Sequence, residues 1–202
     1  MDRRILKTKK CLKDALHTLL AQKPLEKITV TEICDAANTG RLTFYKYYTD
    51  KTNLLEDCFH DMQAETKRRY DVLQKNNAGK SFHQSFLNLM DAIMDVAGRD
   101  AATIGKLFAN ANILHMYYQF VMDNLEHFEM SSGQKIHTKY DMKALNSFLI
   151  MGLWGFVYAN GPDFDEKTTR HKARMLIGDL IKSDLFKSPL IEIGRASCRE
   201  RV

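Results

Sequence analysis

The sequence predicts an all-α protein: a three-helix N-terminal helix-turn-helix domain joined to a larger helical body, about nine helices in all. Three observations predict it. Only three prolines and ten glycines interrupt 202 residues, so long stretches carry no strong helix breaker. Apolar residues recur at i, i+3, i+4 and i+7 through most of the chain, and no alternating pattern of useful strand length competes with them. With 45% hydrophobic residues, the chain can bury a sizeable core, as one compact unit or as a small module on a larger one.

The first helix spans about residues 3–22, striped by Leu12, Ala15, Leu16, Leu19 and Leu20. Lys7, Lys9, Lys10 and Lys13 coat its other faces, either as a solvated surface or as an attraction for phosphate. Lys23-Pro24-Leu25 stops it. Thr29 and Glu32 then have capping-box spacing, each side chain reaching the other's backbone N–H, so a short helix starts near Val30. Val30, Ile33, Cys34 and Ala37 form its apolar stripe. Asn38-Thr39-Gly40 is the turn, because Asn and Gly most readily adopt the positive φ of a tight reversal. From Arg41 a second short helix turns Phe44 and Tyr48 inward and leaves Arg41, Thr43, Tyr45 and Tyr47 on opposite or flanking surfaces, with Lys46 beside them.

Thr49 or Asp50 caps a fourth helix carrying Leu54, Leu55, Cys58, Phe59, Met62, Tyr70 and Leu73, which Asn76-Asn77-Ala78-Gly79 ends. It starts beside the preceding helix and runs far into the chain, as a lever between head and body would. Five further helices follow. Phe82, Phe86, Leu89, Met90, Ile93 and Met94 stripe the first, and Ile104, Leu107 and Phe108 the second. The third covers about residues 113–128, before a Ser131-Ser132-Gly133 break. The last two run over about 136–160 and 165–181, the former with Leu145, Phe148, Leu149, Gly152, Leu153 and Phe156, the latter with Ala173, Leu176, Ile177 and Leu180. Residues 194–202 lack periodicity and read as a non-native or disordered tail. The expected domains are therefore 1–50, 51–193 and that tail.

Charge separates head from body. Residues 1–55 hold 11 Lys or Arg against 6 Asp or Glu, while residues 56–193 hold 16 basic and 18 acidic groups. A basic end on a near-neutral body is the electrostatic footprint of a nucleic-acid binder. On the second short helix, Arg41 has the reach for paired hydrogen bonds to guanine, Thr43 for a thymine methyl, and Tyr and Lys groups for phosphates. Catalysis finds no footing: the chain has no Gly-rich phosphate loop, nucleophile elbow or H-E-x-x-H, so neither an enzyme nor a cofactor is expected. Glu56 and His60 share a helix face near Asp61 and Glu65, but such spacing usually marks solvated surface, and no metal is expected. Cys11, Cys34, Cys58 and Cys198 form no C-x-x-C pair and read as reduced thiols. The polar, basic start resembles no signal peptide, and the longest apolar run, 148–159, is too short to span a bilayer; a cytoplasmic protein is expected.

The tract from Thr29 to Lys51 resembles the TetR (AcrR-type) family of bacterial transcriptional regulators. Thr43-Phe44-Tyr45-Lys46-Tyr47-Tyr48 and Lys51 stand where that family carries the end of its recognition helix and the Lys of the next helix, and Arg41 where many members carry a base-reading residue. Asn38 stands where Gly is usual, Gly40 where a Ser or Asn cap is common, and Leu42 where a small or polar residue is usual. The resemblance implies DNA contacts from Thr29, Arg41, Leu42, Thr43, Tyr45, Lys46, Tyr47 and Lys51, the last on phosphate. It also implies a homodimer formed by the last two helices, through Leu145, Phe148, Gly152, Phe156, Ala173, Leu176, Ile177 and Leu180. An effector cavity would draw on Phe86, Met90, Met94, Phe108, His115, Tyr118, Met151 and Trp154, adaptable apolar walls with a few donors. The expected function is a small-molecule-responsive repressor on a palindromic operator with half-sites about 34–36 Å apart. The Arg41 to Tyr45 tract and the 152–161 segment are also similar to a Firmicute-type branch that includes regulators of dihydroxyacetone kinase genes, which brings in an activator answering to a protein or metabolite. The reading outside this family is a helical module that binds proteins or lipids through its basic head.

Overall fold

The computed structural model describes residues 3–77, 82–98, 111–119, 122, 141, 143–145, 147–149, 151, 152, 155 and 165–183. Every regular element among them is helical: α1 (Arg3–Gln22), a 3-10 turn (Leu25–Lys27), α2 (Val30–Ala36), α3 (Arg41–Tyr47), α4 (Lys51–Gln74), α5 (Phe82–Gly98) and a C-terminal helix (Glu166–Lys182). Residues 111–119 are helical too, as are the described positions from 143 to 155. The all-α reading holds. Phe108, Trp154 and Phe156, and the 194–202 tail, lie outside the described residues.

The head closes on one apolar core. Leu12, Leu16, Ile28, Ile33, Phe44, Leu54, Leu55 and Phe59 are each at most 2% exposed and belong to one cluster. They come from α1, the loop before α2, α2, α3 and the first turns of α4, so the recognition-helix candidate α3 is held from three sides. Ile113, from the 111–119 helix, joins the same cluster, and Tyr117 stacks edge-on against Phe59 at 5.1 Å between ring centroids. The head core thus continues across residue 50 into the body, because Leu54, Leu55 and Phe59 lie on the first turns of α4.

Beyond the head, α4 packs along α5, and α5 packs against the C-terminal helix. At 24 residues, α4 is about 36 Å long, long enough to touch both the head core and the far end of α5. Its last turn is tied to α5 by amides and hydroxyls. The Gln74 amide nitrogen donates to Ser85 Oγ at 2.8 Å, and its Oε1 accepts from Asn77 Nδ2 at 3.0 Å and Asn88 Nδ2 at 2.9 Å. Asn77 and Asn88 are buried, and these bonds satisfy groups whose burial would otherwise be unfavourable.

Candidate nucleic-acid interface

The turn between α2 and α3 sets the site. Thr29 and Glu32 make the full capping box, with Glu32 N–H donating to Thr29 Oγ1 at 3.2 Å and Thr29 N–H to Glu32 Oε2 at 2.9 Å. Lys23 bonds the other carboxylate oxygen at 2.5 Å, and that contact together with the Thr29 bonds holds the Glu32 carboxyl well below its usual range, at about 2. Thr29 is thereby occupied as a helix cap. At the far end of α2, Asn38 N–H donates to Asp35 O at 3.1 Å and Thr39 N–H to Cys34 O at 2.9 Å, the paired closure of a Schellman motif. Asn38 takes the left-handed conformation at this turn, at φ 48°. Gly40 is extended at φ −73° and acts as the N-cap of α3 without a side-chain bond.

α3 then divides its residues by helical geometry. Phe44 and Tyr48 point into the core, with ring centroids 5.7 Å apart. Arg41, Leu42, Tyr45 and Lys46 are exposed, Leu42 at 90% and Tyr45 at 49%. Tyr45 rests edge-on against Phe44 at 5.4 Å, so its ring is supported while about half of its surface stays exposed. Thr43 and Tyr47 are half-buried. Tyr47 packs against the head core with the Lys46 ammonium 5.8 Å from its ring centre, so part of its surface is withdrawn from the outer face expected of it.

Lys51 departs further from expectation. Its ammonium donates to the carbonyls of Leu25, Glu26 and Ile28 at 2.8, 3.1 and 2.7 Å. An ammonium has three N–H groups, and here all three are engaged. The sequence suggested a phosphate contact; in the structure Lys51 clamps the start of α4 onto the 3-10 turn, while Asp50 caps the same helix through Thr52 and Asn53 N–H at 2.8 and 2.9 Å.

The α1 lysines split as well. Lys9 and Lys13 approach Asp57 Oδ2 at 3.3 and 3.2 Å, and Lys13 also bonds Asp61 at 2.6 Å. The Tyr48 hydroxyl donates to Asp57 at 2.7 Å, and Lys9 lies 5.1 Å from the Tyr48 ring centre. Burial would raise the Asp57 carboxyl, but the Tyr48 bond and the two lysines outweigh it and hold it below its ordinary value. These two lysines fasten α1 to α4 and to the end of α3, whereas Lys10 pairs with Asp14 on its own helix at 3.6 Å. The sequence carried a signal for the tie that was missed: lysines four apart on one helix facing aspartates four apart on another.

Three of the four residues weighed for a metal, Glu56, Asp61 and Glu65, are engaged otherwise. Glu56 accepts from Asn53 at 3.2 Å, Asp61 from Lys13, and Glu65 from Arg68 and Arg69 at 2.8 and 2.9 Å. No group of three His, Cys, Asp or Glu among the described residues is placed to hold a metal ion. Burial pushes the Cys58 thiol up to about 12 and also raises Cys34, which disfavours the reactive thiolate.

Of the residues proposed for a cavity, Phe108 and Trp154 lie outside the described residues, and the other six differ in burial. Met90 and Met94 are fully buried, Phe86 and Tyr118 are half-buried, and His115 and Met151 face outward. Tyr118 shares a 2.6 Å hydrogen bond with Ser147. The dimer candidates divide similarly. Leu145, Ala173 and Ile177 are buried within the single chain and Leu180 is half-buried, so they are packed before any second copy arrives. Phe148 is 61% and Leu176 48% exposed, with Met151 and Met175 also exposed. Gly152 and Gly155 have nothing within 4 Å of where a Cβ would sit.

Comparison with known proteins agrees with this geometry. Residues 12–58 match the model of bacterial regulatory proteins of the tetR family. YxbF of Bacillus subtilis (strain 168), an HTH-type transcriptional regulator, is 38% identical over 52 residues, 26% of this chain and 14% of that protein; the chain matches a small part of that relative's length. A TetR-family regulator from Syntrophomonas wolfei str. Goettingen superposes with a TM-score of 0.64 at 13% identity, covering 87% of this chain and 95% of that one. A TetR regulator from Streptococcus agalactiae 2603V gives 0.53 at 20% identity over 87% and 96%. Residues 12–58 are thus similar to the helix-turn-helix region of the tetR family of bacterial regulatory proteins, and the chain has the fold of the solved TetR-family structures.

Proposed function

We propose that this chain is a DNA-binding transcriptional regulator that reads a palindromic operator as a homodimer and acts as a repressor released by a small-molecule effector in the cytoplasm. The observation that carries the reading is the two-faced α3: Phe44 and Tyr48 fix it in the core while Arg41, Leu42, Tyr45 and Lys46 stand outward together. A short, rigidly seated, basic helix matches the demands of a major groove, where N-terminal helix residues meet base edges. In this reading residues 1–50 form the reader and 51–193 the body that spaces two readers. Arg41 reads a base, Thr43 and Tyr45 lie against the groove wall, and Lys46 meets phosphate. The exposed Phe148, Met151, Met175 and Leu176, with the open backbone at Gly152 and Gly155, support a surface that a second copy covers.

No helix among the described residues is long and apolar enough to cross a membrane. An effector acts in this scheme by favouring a body conformation whose two heads are wrongly separated, and it can shift the equilibrium only by its difference in affinity for the two conformations. The test is selection of duplexes from a random pool by the purified protein at physiological salt. A palindrome with half-sites one turn apart is expected, and Arg41→Ala should relax choice at one base of each half-site by about 1–3 kcal/mol. Weak binding that enriches no motif and vanishes as salt rises would overturn the proposal and leave the helical interaction module.

A further inference from the structure

Leu42 is the most exposed large hydrophobic residue among those described, at 90%, and it does not sit among other apolar groups. Arg41 precedes it, Tyr45 and Lys46 lie three and four residues on and so share its face of α3, and Phe44, two residues on, points the opposite way into the core. Nothing lies within 4 Å of the Gly40 Cβ position one turn edge away, so the approach to this end of α3 is open. A protein surface would bury a lone leucine poorly, because the surrounding groups are cationic or hydroxylic and the first 55 residues carry a net charge of +5. Duplex DNA fits better: it is anionic, and its major groove offers one apolar group, the C5 methyl of thymine, among hydrogen-bonding base edges.

Resting on the operator reading above, we propose that Leu42 is a specificity-determining residue that packs on the C5 methyl of a thymine in each half-site. Leu42 has no hydrogen-bonding group, so its preference is for the methyl itself and not for the pairing edge of the base. The protein therefore distinguishes thymine from uracil, which has the same O4 acceptor and the same pairing but no methyl.

The experiment uses the duplex recovered from the random pool, resynthesised with uracil replacing one thymine at a time in both half-sites. Binding is measured for the full chain and for Leu42→Ala. At one symmetry-related pair of positions, loss of the methyl should weaken the wild-type protein about fourfold per half-site, and about sixteenfold when both are replaced. In Leu42→Ala the same replacement should have no effect, and 5-methylcytosine at that position should bind more tightly than cytosine to the wild type only. Leu42 is outside the core, so Leu42→Ala should keep the wild-type melting temperature. A recovered motif whose affinity is indifferent to uracil at every thymine, or an effect that persists in Leu42→Ala, overturns the role of Leu42 and leaves the operator reading standing. Recovery of no motif overturns both.

Discussion

Two junctions in this chain use the same charge pattern to different ends. In the head, Lys9 and Lys13 of α1 face Asp57 and Asp61 of α4. In the body, Arg170 and Arg174 of the C-terminal helix face Asp91 and Asp95 of α5. Each is a pair four apart against a pair four apart, so each sets the register of two helices. The surroundings differ. The head pairs rim a sealed core of fully buried side chains, and lysine, a point charge on a flexible stem, suffices where apolar packing already fixes the geometry. The body pairs use arginine forks, and Arg69 of α4 adds a third fork to Asp95 at 2.7 Å. Three helices therefore meet on two carboxylates. The head is held by shape, and this part of the body adds directed polar bonds to the packing that buries Met90, Met94, Ala173 and Ile177.

Breaking each junction should expose that difference. Phe44→Ala should have the largest effect, because Phe44 is fully buried beneath the outer face of α3; a loss of about 3–5 kcal/mol is expected, read as a lower denaturation midpoint with collapse of DNA binding. Asp91→Ala should follow. Its side chain is 14% exposed, Arg174 bonds its Oδ2, and Arg170 lies 3.7 Å from an Oδ1 that has no hydrogen bond of its own. Removing the carboxylate takes that acceptor from Arg174 and leaves Arg170 with Asp95 and the residue-91 carbonyl, and a loss of about 2–3 kcal/mol is expected in urea denaturation. Lys51→Ala tests the tie between α4 and the 3-10 turn. Three carbonyls lose their charged donor, so stability should fall by about 1–3 kcal/mol, while the salt slope of DNA binding stays as in the wild type. A slope that drops by about one would return Lys51 to phosphate contact.

The head was legible in the sequence because its signals are local. Thr29 with Glu32, Asn38 in the turn, and the stripes through Leu12 to Leu20 and Ile33 to Phe44 each announce themselves within a few residues. The 3-10 turn at Leu25–Lys27 was hidden because three residues have no periodicity to read. The Lys51 role was hidden for another reason: its acceptors are carbonyls 23 to 26 residues earlier, and backbone acceptors carry no sequence signature. The body was less legible. An apolar stripe says that a helix face is covered without saying by what, so Leu145, Ala173 and Ile177 looked the same as Phe148 and Leu176 until burial within one chain separated them. The charge pairs were readable in principle, as complementary i, i+4 doublets on helices already drawn.

The smallest expected effect falls at Gly40, and it sharpens the contrast because it concerns a local choice with no packing behind it. Gly40 caps α3 with no side chain, at an ordinary extended φ of −73°, and a Cβ there would meet nothing within 4 Å. Neither positive φ nor close approach therefore requires glycine. A serine would keep the same backbone and bring a hydroxyl to the unpaired N–H groups of the first turn, while lowering the conformational freedom of the unfolded chain. Gly40→Ser should raise stability by a few tenths of a kcal/mol to about 1 kcal/mol, measured as a small upward shift of the denaturation midpoint with unchanged slope. A loss of stability instead would mean that the turn draws on glycine's freedom in a way its φ does not reveal, and the shape-held head would then contain a strained joint at the point where α3 begins.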